Sequence, residues 1–247
     1  MLDALLLAVA GLGTALACGL GVIPVVVLGR RVRSYQPALT GMAAGLMATA
    51  SLLGLIVPGV EEGGVLTVLV GVAIGVGFLM LTRRFMHHRD VGAGRVRSAG
   101  ARRSLLVFVV LLVHSLPEGF AMGTAFASDR AGLSLFVIMA IGLQNVPEGT
   151  AVSIPMQEAG FSPAQQFWAA VATSLPQPVG ALLAFALVEE VAALLPVSFG
   201  FAAGAMLALV VTELAPNALS RPNVRQGSVG FASGTVVMVL LSWVLGV

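Results

Sequence analysis

The chain has 247 residues, of which 58% are hydrophobic and only 10% are charged, and its formal net charge is +2. A soluble domain of this size would carry about 25% charged residues, so the composition excludes an ordinary soluble protein. A single cysteine, Cys18, excludes an internal disulfide and a cysteine-cluster metal site. The predicted fold class is all-α: a polytopic membrane protein in which residues 1–247 form one transmembrane domain.

Eight apolar runs are long enough to cross a membrane as helices. Hydrocarbon about 30 Å thick needs roughly 20 apolar residues per helical span. The first run follows Asp3 rather than a basic segment, so we interpret it as a helix and not as a signal peptide. The predicted spans cover about residues 3–29, 37–58, 65–82, 104–127, 131–156, 163–188, 192–216 and 227–247.

The arginines predict how these spans are oriented. Twelve of the thirteen basic residues, all of them arginine, fall in the loops after spans 1 and 3 and before span 8. The remaining loops are acidic, and Arg130 is their basic exception. Since cytoplasmic loops carry the excess of positive charge, both termini should face outside. The chain should lie in the inner membrane of a bacterial or archaeal cell.

The segment 83–103 is the one sizeable polar loop. Its glycine, arginine and serine content favours disorder over a packed domain. His87 and His88 make it a candidate for transient metal capture on the cytoplasmic side. The alternative is a solvated basic loop near anionic lipid headgroups.

Two similar stretches suggest an internal repeat. GMAAGLM begins at Gly41 in span 2, GFAAGAM begins at Gly200 in span 7, and each run continues to a proline, Pro58 or Pro216. The two spans run in opposite directions, which predicts an inverted repeat that relates spans 1–3 to spans 6–8 around a central pair, spans 4 and 5. The alternative is that small residues four apart only allow helices to pack closely.

Two hexapeptides mark the central pair of spans: HSLPEG begins at His114 and QNVPEG begins at Gln144. Within each, a polar residue and a glutamate are four residues apart, which places His114 with Glu118, and Gln144 with Glu148, on one helix face. Antiparallel packing of the two spans would bring all four side chains to a similar depth.

Their charges indicate the kind of ligand. An unpaired carboxylate in the bilayer costs about 2.5–3.5 kcal/mol on insertion scales, and no lysine or arginine lies near either glutamate in the sequence. Two carboxylates, a neutral imidazole and an amide oxygen match one divalent cation. Imidazole with carboxylate suits zinc and other late first-row metals better than magnesium or calcium. The alternative is a hydrogen-bonded His114–Glu118 pair beside a protonated Glu148.

These motifs resemble the span 4 and span 5 signatures of the ZIP family of zinc and iron transporters, and the form with Gln-Asn before Pro-Glu-Gly is similar to its GufA-like branch. The resemblance implies eight spans and alternating access. It also implies that His114, Glu118, Gln144 and Glu148 are the ligands of the first metal position, with Met47 on span 2 within reach.

The sequence departs from that family at a second, adjacent metal position. Many relatives have Asn after the span 4 histidine, Asp after the span 5 residue and Glu before the span 6 proline, whereas this chain has Ser115, Asn145 and Gln177. We therefore expect the second position to be weak or absent. In span 7, Glu213 is either a waypoint near the cytoplasmic exit or an interfacial residue in contact with water.

The function expected from these residues is transport of a divalent transition-metal ion into the cytoplasm, with zinc first and cadmium, iron or manganese as alternatives. The partners are the ion and the lipid bilayer, with no prosthetic group and no nucleic acid. The sequence leaves open whether the chain forms a homodimer. There is no ATP-binding GxxxxGK[ST] motif.

An intramembrane metalloenzyme is the rival from another class, but HExxH is missing. A metal-gated channel or sensor is the second alternative.

Overall fold

The computed structural model describes residues 2–88 and 99–247, with side chains through residue 84 and again from residue 112 onward. Every regular element among these residues is helical. In chain order the α-helices are α1 (Leu2–Gly19), α2 (Val22–Leu28), α3 (Val32–Ser51), α4 (Val57–His88), α5 (Ala99–Ala127), α6 (Ala131–Glu158), α7 (Pro163–Ser174), α8 (Pro176–Glu190), α9 (Leu195–Leu209), α10 (Ala215–Ala218) and α11 (Val224–Leu245). The predicted all-α class is confirmed.

Several of these helices are long and apolar enough to cross a bilayer. Within the described residues there are five such stretches, and the first is the 83-residue run Leu2–Arg84. At 1.5 Å per residue this run would be about 125 Å long if straight, roughly four times the hydrocarbon thickness. It is instead interrupted by a break between α1 and α2, by Gly29 at φ +54° and by Gly64 at φ +76°. A positive φ suits glycine, which has no Cβ to clash. The chain therefore folds back within this run.

The helices pack in two groups. The central group contains α1, α2, α5, α6, α7 and α8: α5 lies along α8 and α6, and α1 packs against α6, α7 and α8. The flanking group contains α3, α4, α9, α10 and α11: α4 lies along α9, and α11 lies along α3. The groups meet where α3 contacts α6 and where α5 contacts α9. Side chains at those contacts lie at the boundary between the two groups.

Glycines set the distance between helices in both groups. A Cβ on Gly41 would overlap the carbonyl oxygen of Gly227, and a Cβ on Gly200 would overlap that of Val68. The same close approach joins Gly45 to Phe231, Gly204 to Val72, Gly71 to Val197, Gly230 to Ala38, Gly75 to Phe201, Gly234 to Met42, Gly119 to Gln177, Gly149 to Cys18, Gly180 to Leu116 and Gly21 to Val146. Because a backbone atom is met in each case, any larger residue must push two helices apart.

α3 and α9 both end in a π-helical turn, at Leu52–Ile56 and at Val210–Leu214. Such turns insert an extra residue into a helix and are frequent at functional sites. Here each turn follows the glycine-rich motif of its helix, so the same local distortion occurs at corresponding places in the flanking group.

The polar segment after span 3 is the least described part of the chain. α4 reaches His88 and α5 begins at Ala99, so the segment expected at 83–103 narrows to residues 89–98 between the two helices. The prediction of disorder falls on residues that lie outside the described ranges. The side chains of His87 and His88 also lie outside them, so their proposed role in metal capture stays a prediction.

We expect Gly75→Ala to destabilise the protein by about 1–3 kcal/mol, the usual cost of overpacking, because the added methyl group would meet the carbonyl of Phe201. Gly77 on the same helix has open space where a Cβ would lie, so Gly77→Ala is the matched control and should leave stability unchanged or raised. Thermal unfolding in detergent measures both. Equal midpoints for the two variants would show that the glycine contact does not set the helix spacing.

Candidate metal site

The four residues predicted as ligands are all buried in the central group. The exposed fraction of the residue is 3% for His114, 1% for Glu118, 0% for Gln144 and 6% for Glu148. α5 and α6 continue through the proline of each hexapeptide. The glycine after each glutamate is where its helix touches a neighbour: Gly119 lies against α8, and Gly149 lies against α1. These glycines therefore hold the glutamates at the helix contacts.

Glu118 is held by two amides. Gln144 Nε2 donates to Glu118 Oε1 at 2.8 Å, and Gln177 Nε2 donates to Glu118 Oε2 at 2.8 Å. Hydrogen bonds to a charged acceptor are among the stronger ones in proteins. The carboxylate is therefore fixed in orientation by one residue from α6 and one from α8.

Several polar atoms beside Glu118 have no hydrogen-bond partner. Both ring nitrogens of His114, Oε1 of Gln144 and Oε1 of Glu148 are buried and unpartnered. Among the described residues these are four of only seven such side-chain atoms. A buried polar atom without a partner costs about 1–3 kcal/mol, so concentrating four of them in three predicted ligands favours a binding role over simple packing.

No ion pair among the described side chains supplies positive charge to Glu118 or Glu148. The ion pairs formed by the described side chains involve Glu61, Glu62, Glu158 and Glu213, and none of them includes Glu118 or Glu148. The two buried glutamates lie close enough for their charges to interact. Two adjacent carboxylates in a low-dielectric interior need a cation or a proton to be tolerated.

His114 and Glu118 share a small cavity with residues from the flanking group. Its volume is about 10 Å³, and it is lined by Met47, Leu79, His114, Pro117, Glu118, Ala205, Met206 and Leu209. Met47, which is 0% exposed, thus lies beside the predicted ligands. Met206 is a residue that our sequence analysis missed. The signal was present, because GFAAGAM ends at Met206 as GMAAGLM ends at Met47.

The structure does not bring all predicted ligands to one point. Among the described residues, no three His, Cys, Asp or Glu side chains are grouped closely enough to hold a metal ion. The physical reason lies in Glu118, whose two oxygens face the amides of Gln144 and Gln177. Glu148 is not among the residues that line the cavity.

Asn145 and Gln177, two of the residues expected at a second metal position, form a network of neutral amides. Asn145 and Gln177 exchange hydrogen bonds of 3.1 Å in both directions. Asn145 Nδ2 also donates to the carbonyl of Thr14 at 2.7 Å, and Thr14 Oγ1 donates to Gln177 Oε1 at 2.8 Å. Ser115 is buried beside His114 in the sequence, with 2% exposed. The network joins α1, α5, α6 and α8 through hydrogen bonds that need no ion.

Glu213 lies in the π-helical turn after α9 and forms an ion pair with Arg83 of α4, at 3.2 Å. Their side chains are 20% and 26% exposed. The pair satisfies the charge of Glu213 within the flanking group. The two alternatives given by the sequence, a waypoint and an interfacial residue, both stay predictions.

Comparison with known proteins gives related sequences over most of the chain. A family model described as "ZIP Zinc transporter" matches residues 86–242. The chain is 33% identical to a putative zinc transporter of Arabidopsis thaliana over 217 residues, covering 87% of this chain but only 35% of the plant protein. It is 32% identical to zinc transporter GufA of Myxococcus xanthus, covering 96% of this chain and 98% of that protein. It is also 32% identical to zinc transporter ZIPB of Bordetella bronchiseptica, with 85% and 72% covered.

We expect Gln177→Leu to lower the free energy of unfolding by about 1–3 kcal/mol, because Glu118 and Asn145 would each lose a buried partner. Gln226→Leu, at an exposed position of α11, is the matched control and should change stability little. Chemical unfolding in detergent measures both variants. If Gln177→Leu is as stable as the control, the amide network does not hold these helices together.

Proposed function

The chain belongs to the ZIP family of zinc transporters, and from that premise we propose that it carries zinc, or a similar divalent ion, toward the cytoplasm through its helix bundle. Cadmium, iron and manganese are the other candidate ions. The observation that carries the proposal is the pair of buried glutamates, which have four unpartnered polar atoms around them and no ion-pair partner among the described side chains.

The ligands that we propose are His114, Glu118, Gln144 and Glu148. Burial of both glutamates would cost several kcal/mol if neither were neutralised, and one divalent cation neutralises two carboxylates. Binding at Glu118 requires an exchange of hydrogen bonds, because both oxygens accept from amides. Rotating the terminal amide of Gln144 would release Glu118 Oε1 and turn the unpartnered Gln144 Oε1 toward the same ion.

We propose eight spans, built as an inverted repeat. The two positive-φ glycines, Gly29 and Gly64, divide the run Leu2–Arg84 into three spans, and α5 and the four later stretches supply the others. The glycine contacts support the repeat. Gly41 meets Gly227, and Gly200 meets Val68. Gly200 lies 159 residues after Gly41, and Gly227 lies 159 residues after Val68, so one shift relates the two contacts.

The same shift relates the remaining contacts in the flanking group, such as Gly45 with Phe231 and Gly204 with Val72. In the central group the same shift relates Gly21 to Gly180, whereas their partners, Val146 of α6 and Leu116 of α5, differ by 30 residues, as the two hexapeptides do. Simple packing by small residues would not require the same shifts to recur from one contact to the next. We therefore favour the repeat over that alternative.

Three sets of ion pairs support the proposed orientation, with both termini outside. Arg33 pairs with Glu158 at 3.0 Å, and Arg83 pairs with Glu213, all on the predicted cytoplasmic side. Arg130, the single exception to the arginine pattern, pairs with Glu61 at 3.0 Å on the opposite side. Its charge is therefore balanced locally by an acidic loop.

The proposed mechanism is alternating access in which the central group shifts against the flanking group. The cavity beside His114 lies at the boundary, since its walls come from α3, α4 and α9 as well as α5. A relative movement of the two groups would open this boundary toward one side at a time. An inside-negative potential of 100 mV favours entry of a doubly charged ion by about 4.6 kcal/mol, so ATP is not required.

Neither an intramembrane metalloenzyme nor a metal-gated channel or sensor is favoured. The relatives are zinc transporters by name, and the chain lacks the HExxH pattern of a metalloprotease. Nothing in the site favours a channel or sensor over a carrier. Because zinc ligands must be deprotonated, affinity should fall in acid, which provides one route for releasing the ion or coupling it to protons.

We expect Glu148→Gln to lower zinc uptake into proteoliposomes by at least about tenfold, and His114→Ala to abolish it, because each removes a ligand. Glu158→Gln is the matched control on the same helix, since Glu158 is 41% exposed and pairs with Arg33. Size-exclusion profiles verify that all variants fold. Normal uptake by both site variants would rule out this site.

We expect Gln177→Glu combined with Ser115→Asn to raise the bound zinc from about one to about two ions per chain, since the amide network would regain a carboxylate ligand. Elemental analysis of the dialysed protein measures the ratio. Gln165→Glu, which adds a carboxylate at the exposed start of α7, is the control. An unchanged ratio in the double variant would contradict our explanation of the lost second position.

A further inference from the structure

The cavity at the boundary of the two helix groups is close to the size of one small ion. Its volume of about 10 Å³ is at the lower limit for holding a single water molecule, which needs about 10–15 Å³. A hydrated ion does not fit. An ion that enters must exchange its water shell for atoms of the cavity walls.

Those walls offer two kinds of ligand atom. His114 and Glu118 carry unpartnered imidazole nitrogens and a carboxylate, while Met47 and Met206 each carry a thioether sulfur. The other wall residues, Leu79, Pro117, Ala205 and Leu209, have apolar side chains. Both methionines in the wall therefore belong to the flanking group, and both residues with side-chain nitrogen or oxygen atoms belong to the central group.

Met206 is buried almost as completely as Met47. It is 3% exposed, and Met47 is 0% exposed. Two residues before each methionine, a glycine fixes the helix against a neighbouring backbone: Gly45 lies against Phe231, and Gly204 lies against Val72. The two sulfur atoms are thus brought to one cavity from opposite repeats by the same packing contact.

We propose that Met206 is a second thioether ligand for the transported ion and that, with Met47, it biases the site toward soft ions. This inference rests on the proposed transport function and adds a specificity determinant to it. Thioethers bind soft, polarisable metal ions and contribute little to hard ions such as manganese. The class of substrate that fits two sulfurs, an imidazole and a carboxylate is a soft d¹⁰ ion, with cadmium as the probe.

The alternative is that Met206 only fills space. Methionine is a flexible residue that packs well in irregular interiors, and an exchange of methionine for leucine is well tolerated in cores. Leucine keeps the volume but removes the sulfur. Met206→Leu therefore separates the two roles, because space filling predicts no change in the ratio of cadmium to manganese binding.

The test measures cadmium and manganese binding and uptake for the wild-type chain and for Met206→Leu. We expect Met206→Leu to weaken cadmium binding about tenfold and manganese binding by less than about twofold. Met238→Leu is the control, since Met238 is buried at 0% in α11 and does not line the cavity. An unchanged cadmium-to-manganese ratio in Met206→Leu would overturn the proposal.

X-ray absorption at the cadmium edge gives a second measurement that needs no substitution. About two sulfur neighbours per cadmium ion in the wild-type protein support the proposal, and one or none contradicts it. The proposed function fails in a different way, namely if wild-type proteoliposomes take up no divalent ion. Normal uptake with a single sulfur neighbour would overturn only the role of Met206.

Discussion

The structure depends on one electrostatic constraint: two glutamates are buried side by side in an apolar bundle, and no ion pair among the described side chains neutralises them. Amides rather than cations surround Glu118. Amide hydrogen bonds orient a carboxylate but do not cancel its charge. This arrangement is stable when a divalent ion or protons complete it, which is the property that a transport site for cations needs.

The position of this site follows from how helices meet at glycines. Gly119 and Gly149 bring the two glutamate-bearing helices against α8 and α1, which places Glu118 and Glu148 where backbones are closest. The glycines of the flanking group bring Met47 and Met206 to the same depth. Small residues therefore do more than tighten the bundle. They determine which residues with polar and sulfur atoms share the boundary between the central and flanking groups.

Much of this could be predicted from the sequence, and the reasons for the rest are physical. The apolar runs and the spacing of His114 with Glu118 gave the helical class and the candidate ligands, because both depend on local periodicity. The amide network and the cavity could not be derived in this way. They depend on contacts between residues distant in sequence, such as Gln177 with Glu118 and Thr14. Met206 was missed because a methionine in an apolar run looks like packing, although it ends GFAAGAM as Met47 ends GMAAGLM.

The measurement that tests the central claim most directly is titration calorimetry of zinc into the purified protein near neutral pH. Our account predicts that about one ion binds per chain, and that binding disappears when Glu118 and Glu148 are both replaced by glutamine. The account would be contradicted if the wild-type protein gave no heat of binding. It would equally be contradicted if the protein without these two carboxylates bound zinc as tightly as before.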